Sequence, residues 1–252
     1  MPNIWRTAAS LLFAALLGGC GFITTPPALR VVLLAPFEGE HRHIGYNALY
    51  AARLALSELP LRYELLAVDD GGTTLLARDR AAALRRDPCV AGVVLLGPFS
   101  TQPQVQAELA GLRVVIAGSW SAAPAGDHVA QLAPSSMLSL QTSTGLADET
   151  ADFPQNTVGT QFISAGALPD EQYTARYRAL SPFTPSPNSY ATLVTDAVAL
   201  LVASHQAGSD LRSTVHEGIN GLIAFNTEGF WINAPVYLYE ITSTGYYVTI
   251  LQ

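Results

Sequence analysis

Lysine is missing altogether: every one of the 13 basic residues in this 252-residue chain is arginine. That excludes a Schiff-base lysine, a pyridoxal enzyme and the lysine of a phosphate-binding P-loop. Cysteine is nearly missing as well, with only Cys20 and Cys89. Charge is sparse, and the acids outnumber the bases 20 to 13, so no basic stripe is available to neutralise phosphates. That balance argues against nucleic acid as a partner. No Ser-His-Asp spacing, nucleophile elbow, glycine-rich phosphate loop or zinc signature occurs, so nothing points to an enzyme and no cofactor is expected. The apolar run near the start, residues 8–17, is shorter than the roughly 20 residues a membrane-spanning helix needs.

What is present begins with that run. A start carrying one basic residue, Arg6, a short apolar stretch and then Leu17-Gly18-Gly19-Cys20 describe a secretory signal peptide. The last four residues resemble the bacterial lipobox, in which the cysteine thiol takes a lipid and the chain is cut just before it. A chance cysteine beside a cleavage site, or an uncleaved anchor, is the competing reading of the same residues. On the lipobox reading, 1–19 is the signal peptide, Cys20 is the lipidation site and 20–28 is a short tether at a membrane face outside the cytoplasm. Cys89 then has no disulfide partner; at an apolar strand entry it reads as a small buried hydrophobe. The remaining chain is long enough for one large domain or two small ones.

From residue 29 strands and helices alternate. Residues 31–35 form a continuous apolar run, which predicts a buried strand. Residues 45–59 carry Leu49, Ala52, Leu56 and Leu59 at helical spacing and stop before Pro60. A strand over 63–68 ends in Asp69-Asp70-Gly71-Gly72, and Thr74 caps a helix running to Arg86. Strands over 90–96 and 113–117 bracket a helix over 103–109 opened by Pro103. Four strands with three intervening helices predict a parallel, Rossmann-like, three-layer α/β sheet. After Pro124 the pattern dissolves, and 125–160 shows no periodicity. Further on, the spacing predicts a strand at 160–164, helices over 170–179, 190–205 and 210–219, and a strand at 223–225. Two alternating runs, 234–241 and 246–251, joined by a turn ending in Gly245, predict a C-terminal β-hairpin.

Ligands of open parallel sheets bind beyond the carboxyl ends of the strands, where loops enter helices. Three such loops are legible: 36–44, 97–102 and 118–124. The second and third present Ser100, Thr101, Ser119 and Ser121, which suit a carboxylate or another small anion. The competing reading has Ser100 capping its helix and Trp120 packing over the sheet edge. His41 and His43 flank Arg42, an arrangement that fits surface histidines better than a metal site. Asp69-Asp70 suits a cation or a ribose, or more simply the cap of the turn that follows.

Taken in order, 31–39, 45–55, 68–72, 87–101 and 115–124 resemble the type I periplasmic binding proteins, in the branch that binds leucine, isoleucine and valine for ABC importers. Residues 173–180, 185–201 and 234–239 continue the likeness. The resemblance implies a solute-binding lipoprotein whose partners are a small-molecule ligand, an amino acid or another small carboxylate, and an ABC transporter permease, with the membrane held through the lipid. It offers Ser100, Thr101, Trp120, Ser121 and Ala122 as ligand contacts. The chain departs from the family in carrying bulky Trp120 where relatives often have a small residue, and Ile44 where an aromatic is common. It departs further in length. Residues 29–124 match the start of the first lobe and 161–252 its return segment, while 125–160 is too short for a second lobe. One lobe of a two-lobed clamp is implied, with the second largely missing. That departure sustains the alternative of a non-transport cell-envelope lipoprotein that uses a degenerate lobe for protein interaction or sensing.

Overall fold

The computed structural model describes residues 27–60, 63–120, 122–144 and 158–251. The expected signal peptide, Cys20, most of the tether, Ser121 and part of the stretch 125–160 lie outside the described residues.

Three βα steps and two further strands build the first half. Strand β1 (Arg30–Ala35) leads to helix α1 (Arg42–Glu58), and β2 (Glu64–Asp69) to α2 (Thr74–Leu84). Strand β3 (Val90–Leu95) leads to α3 (Pro103–Glu108), and β4 (Val114–Ile116) is followed by β5 (Val129–Gln131). The five strands form one sheet in the order β2-β1-β3-β4-β5, all parallel. Position in the sheet explains burial. Central β3 is buried throughout and β1 nearly so, whereas edge strand β2 is half-exposed along its length. Pairing brings Ala35 beside Asp69, Leu34 beside Leu95, Leu95 beside Ile116 and Ile116 beside Gln131. The carboxyl ends therefore lie along one edge.

The step from β1 to β2 runs one way along the sheet, and those from β2 to β3 and β3 to β4 run the other. Right-handed crossovers in opposite directions place their helices on opposite faces. In agreement, α2 packs on α3, while α1 packs on the long helix α6 (Ser189–Ala207), which also lies against β3. Asn188 caps α6 by accepting from the Tyr190 N–H, and Gly208 ends it at φ 60°, a left-handed conformation suited to glycine. Close approach of α6 to the sheet needs Gly92, where a Cβ would come within 2.7 Å of Leu201.

Between β5 and α6 come α4 (Ser136–Thr144), β6 (Gln161–Ser164) and α5 (Glu171–Ala179); after α6 come the short hairpin β7 (His216–Gly218) and β8 (Gly221–Ile223), then β9 (Tyr237–Thr242) and β10 (Gly245–Ile250). The hairpin β9–β10 forms as expected, and β6 adds to it as a third antiparallel strand. Phe162 and Tyr239 stack at 5.1 Å across that sheet.

Three sequence expectations fail here. The cap of α2 is Thr73, not Thr74: its hydroxyl accepts from the Leu76 N–H. The stretch 125–160 holds β5 and α4 despite its lack of periodicity. β5 is three residues long, too short for a pattern, and is recognised only by its pairing with β4. Helix α4 hides because Ser139, Thr142, Ser143 and Thr144 turn their hydroxyls back on its own carbonyls, and Met137 is its one buried residue. The helix expected over 210–219 is instead a single 3-10 turn, Leu211–Ser213, followed by β7. Asp196, buried on α6, accepts from the Ile219 N–H at 2.7 Å, the Asn220 N–H at 3.0 Å and Asn220 Nδ2 at 2.7 Å. That carboxylate draws the segment into a turn, and Gly218 is required because a Cβ would lie 2.5 Å from it.

Candidate ligand site at the carboxyl edge of the parallel sheet

The order reverses between β1 and β3, so the crevice of the sheet opens at their carboxyl ends. Four chain segments meet there: the loops after β1, β3 and β4, and the turn after β2.

The loop after β3 is bound to itself. Ser100 donates to the Leu96 carbonyl at 2.7 Å, Thr101 to the Gly97 carbonyl at 2.8 Å, and Gln102 Nε2 to the Pro98 carbonyl at 2.8 Å. Ser100 and Thr101 are completely buried. Ser100 is not the cap of α3; that position belongs to Gln102, and Pro103 opens the helix. Sequence reasoning missed Gln106, which is buried on α3 and ties two loops together. Its Nε2 donates to the Thr101 and Ala123 carbonyls, and its Oε1 accepts from the Ala125 N–H. The one available signal was an amide directly after Val105, the single apolar residue that the helix buries.

The loop after β4 is closed by Trp120. Its indole is 4 % exposed, stacks on Tyr190 of α6 at 5.0 Å with 20° between the planes, and donates through Nε1 to the Ala117 carbonyl. Trp120 sits at φ 30°, a left-handed conformation that few bulky residues adopt. Ala122 is buried, and its N–H donates to the Ser119 carbonyl. Gln131, at the end of β5, donates from Nε2 to the Gly118 carbonyl at 2.9 Å. The structure thus gathers Ser100, Thr101, Trp120 and Ala122 at one edge, with both hydroxyls directed to the protein's own carbonyls. Ser121 is outside the described residues.

The acidic pair after β2 caps its turn, as one sequence reading expects, and does more. Asp69 Oδ2 accepts from the Gly71 N–H, while Oδ1 reaches across to the Phe37 and Glu38 N–H groups of the loop after β1. Arg80 of α2 pairs with the same carboxylate at 3.1 Å. Burial pushes the Asp69 carboxyl up, but the donors from Phe37, Gly71, Arg80 and Glu38 outweigh it and hold it below its ordinary value. Asp70 is wholly buried, and burial raises its pKa. Among the described residues, no group of three or more His, Cys, Asp or Glu is placed to hold a metal ion. Nor is any described helix long and apolar enough to cross a membrane.

No protein family and no curated protein matches the chain by sequence. Solved structures do match in fold. The branched-chain amino acid transporter substrate-binding protein of Streptococcus pneumoniae, in complex with isoleucine, has a TM-score of 0.64 at 13% identity, over 89% of this chain and 99% of that one. A periplasmic binding protein from Burkholderia mallei matches with a TM-score of 0.65 at 12% identity, over 89% and 94%. An ABC transporter substrate-binding protein from Desulfitobacterium hafniense, in complex with leucine, matches with 0.61 at 14%, over 88% and 100%. At such identities the likeness is one of fold: an α/β chain similar to the type I periplasmic binding proteins.

Proposed function

We propose that this chain is a single-lobe relative of the solute-binding proteins, exported and held at the outer face of a membrane by a lipid on Cys20. It works there by recognising a protein partner or a signal, and does not collect a free amino acid for an importer. The closure of the loops after β3 and β4 carries this reading. Ser100 and Thr101 are buried with their hydroxyls on Leu96 and Gly97, and Trp120 fills the edge against Tyr190. A carboxylate ligand would have to break those hydrogen bonds and move the indole before meeting the residues that the resemblance assigns to it. A two-lobed clamp also gains affinity by closing over its ligand and excluding water, and a single lobe has no such closure. Between β4 and β6 the described residues hold only β5 and α4, which supports a short bridge in place of a second lobe.

A second reading, amino-acid capture for an ABC importer, is favoured by the isoleucine and leucine complexes whose fold the chain shares. Calorimetry separates the two. The full chain is recovered from the membrane fraction, with the Cys20→Ser variant recovered in soluble form beside it, and both are titrated with a panel of free amino acids. No heat from any of them is expected. Saturable binding at micromolar concentration would establish capture, and a Cys20→Ser chain that stays on the membrane would remove the lipid anchor.

A further inference from the structure

The antiparallel sheet has an open edge. In the order β10-β9-β6, β6 is buried beyond Gln161, whereas β10 is exposed along most of its length. Tyr247 is 63 % exposed and Ile250 67 %, with Val248 and Leu251 exposed beside them, so four large apolar side chains reach water within five residues. Open edges are ordinarily guarded by charge, proline or a bulge. At the edge of the parallel sheet, β2 begins with Glu64 and ends with Asp69. β10 has no such guard: its pairing with β9 runs without a break from Gly245 to Ile250, and 241–252 holds neither a charged side chain nor a proline. The Leu251 N–H donates to the Val236 carbonyl, towards β9. Backbone groups alternate along an antiparallel strand, so Thr249 and Tyr247 also turn theirs inward, and Val248 and Ile250 turn theirs to the open side.

We propose that β10 pairs antiparallel with β10 of a second copy of this chain, about a two-fold axis at Thr249. In that register Val248 faces the partner's Ile250, Tyr247 faces the partner's Leu251, and Thr249 faces the partner's Thr249. Each exposed apolar residue of 247–251 meets another, and the outward N–H and C=O groups of Val248 and Ile250 bond to one another across the axis. An axis one residue earlier, at Val248, leaves Leu251 facing Gly245. A two-fold contact must be self-complementary, and charge decides where this chain can be so. With 20 acids against 13 bases, two copies repel one another as whole molecules, but along 241–252 no like charges meet. A second copy is therefore the occupant that this strand fits, and the pairing joins two three-stranded sheets into one. It does not rest on the function proposed above.

The test is sedimentation equilibrium of the full chain in density-matched detergent, over a wide range of concentration. A reversible equilibrium between monomer and dimer is expected. Ile250→Lys, at an exposed position that folding does not need, should weaken it by about tenfold or more by setting a charge on the edge. Thr249→Cys, oxidised with copper phenanthroline, should give a disulfide-linked dimer, because facing residues of a pair without backbone hydrogen bonds lie about 4.5 Å apart at Cα, within disulfide reach. Tyr247→Cys, set away from the axis, should not. A parent chain that stays monomeric, as it would if the edge takes a strand of another protein, would overturn the proposal. So would a dimer that Ile250→Lys leaves as strong, or equal cross-linking through both cysteines.

Discussion

Two buried carboxylates, in two regions of the same domain, are handled in opposite ways. Asp196, under the β7–β8 turn, receives three donors from Ile219 and Asn220, so both of its oxygens are occupied. Asp70, at the carboxyl edge of the parallel sheet, has one oxygen on Gly72 and the other without a partner among the described residues. Burial raises the pKa of both. Burial is thus no guide to role. The carboxylate of Asp196 fastens the β7–β8 turn with both oxygens, whereas that of Asp70 fastens only its own turn through one.

Substitutions at the two positions should separate these roles. The largest effect is expected for Asp196→Asn, which sets an amide donor against groups that are themselves donors and should cost about 2–3 kcal/mol in urea unfolding. Its pH dependence carries a sign. Burial lifts Asp196 above its ordinary value of 3.8, although the donors from Asn220 and Ile219 pull it partly back. A raised folded-state pKa makes a contribution that is complete below the unfolded value and is lost as the pH rises through the folded one. The asparagine variant cannot ionise and escapes that loss. Its deficit should therefore be widest in acid and narrow as the pH rises; a deficit that widens instead would mean that Asp196 is not held above its unfolded value.

A smaller change is expected at Ser100, within the self-bonded loop after β3. Ser100→Ala removes the donor to the Leu96 carbonyl and should cost about 1 kcal/mol. A variant as stable as the parent would indicate that the hydroxyl is not committed to its own loop. The smallest change is expected at Asp70. Asp70→Asn keeps an oxygen for the Gly72 N–H and alters only the oxygen that has no partner among the described residues, so stability should stay within about 0.5 kcal/mol of the parent. A loss as large as that of Asp196→Asn would abolish the contrast between the two regions.

Much of the parallel sheet was legible because each buried strand is also a local apolar run. Val31 to Ala35 and Val90 to Leu95 are read from the chain and found buried in the centre. β5 and the segment 210–219 escape the sequence because their structure depends on partners outside them, whereas α4 hides for a local reason, its hydroxyls being bonded to its own carbonyls. β5 exists through β4, and the β7–β8 turn through Asp196 on α6. At the candidate site, sequence located the loops and named Ser100, Thr101, Trp120 and Ala122. It had no means of knowing which way their side chains point. A hydroxyl on a loop at the end of a strand looks equally ready for a ligand or for the carbonyl four residues back, and only packing chooses between them.

By itself, then, the sequence determined the alternation of strands and helices up to β4, and the C-terminal hairpin. Those follow from residue chemistry and short-range periodicity. Tertiary structure decided that Trp120 closes its loop against Tyr190, that Gln106 ties two loops together, and that Asp196 is satisfied where Asp70 is not. Each of these is a question of which groups meet across the fold, and a buried polar group takes its meaning from what lies within hydrogen-bonding reach.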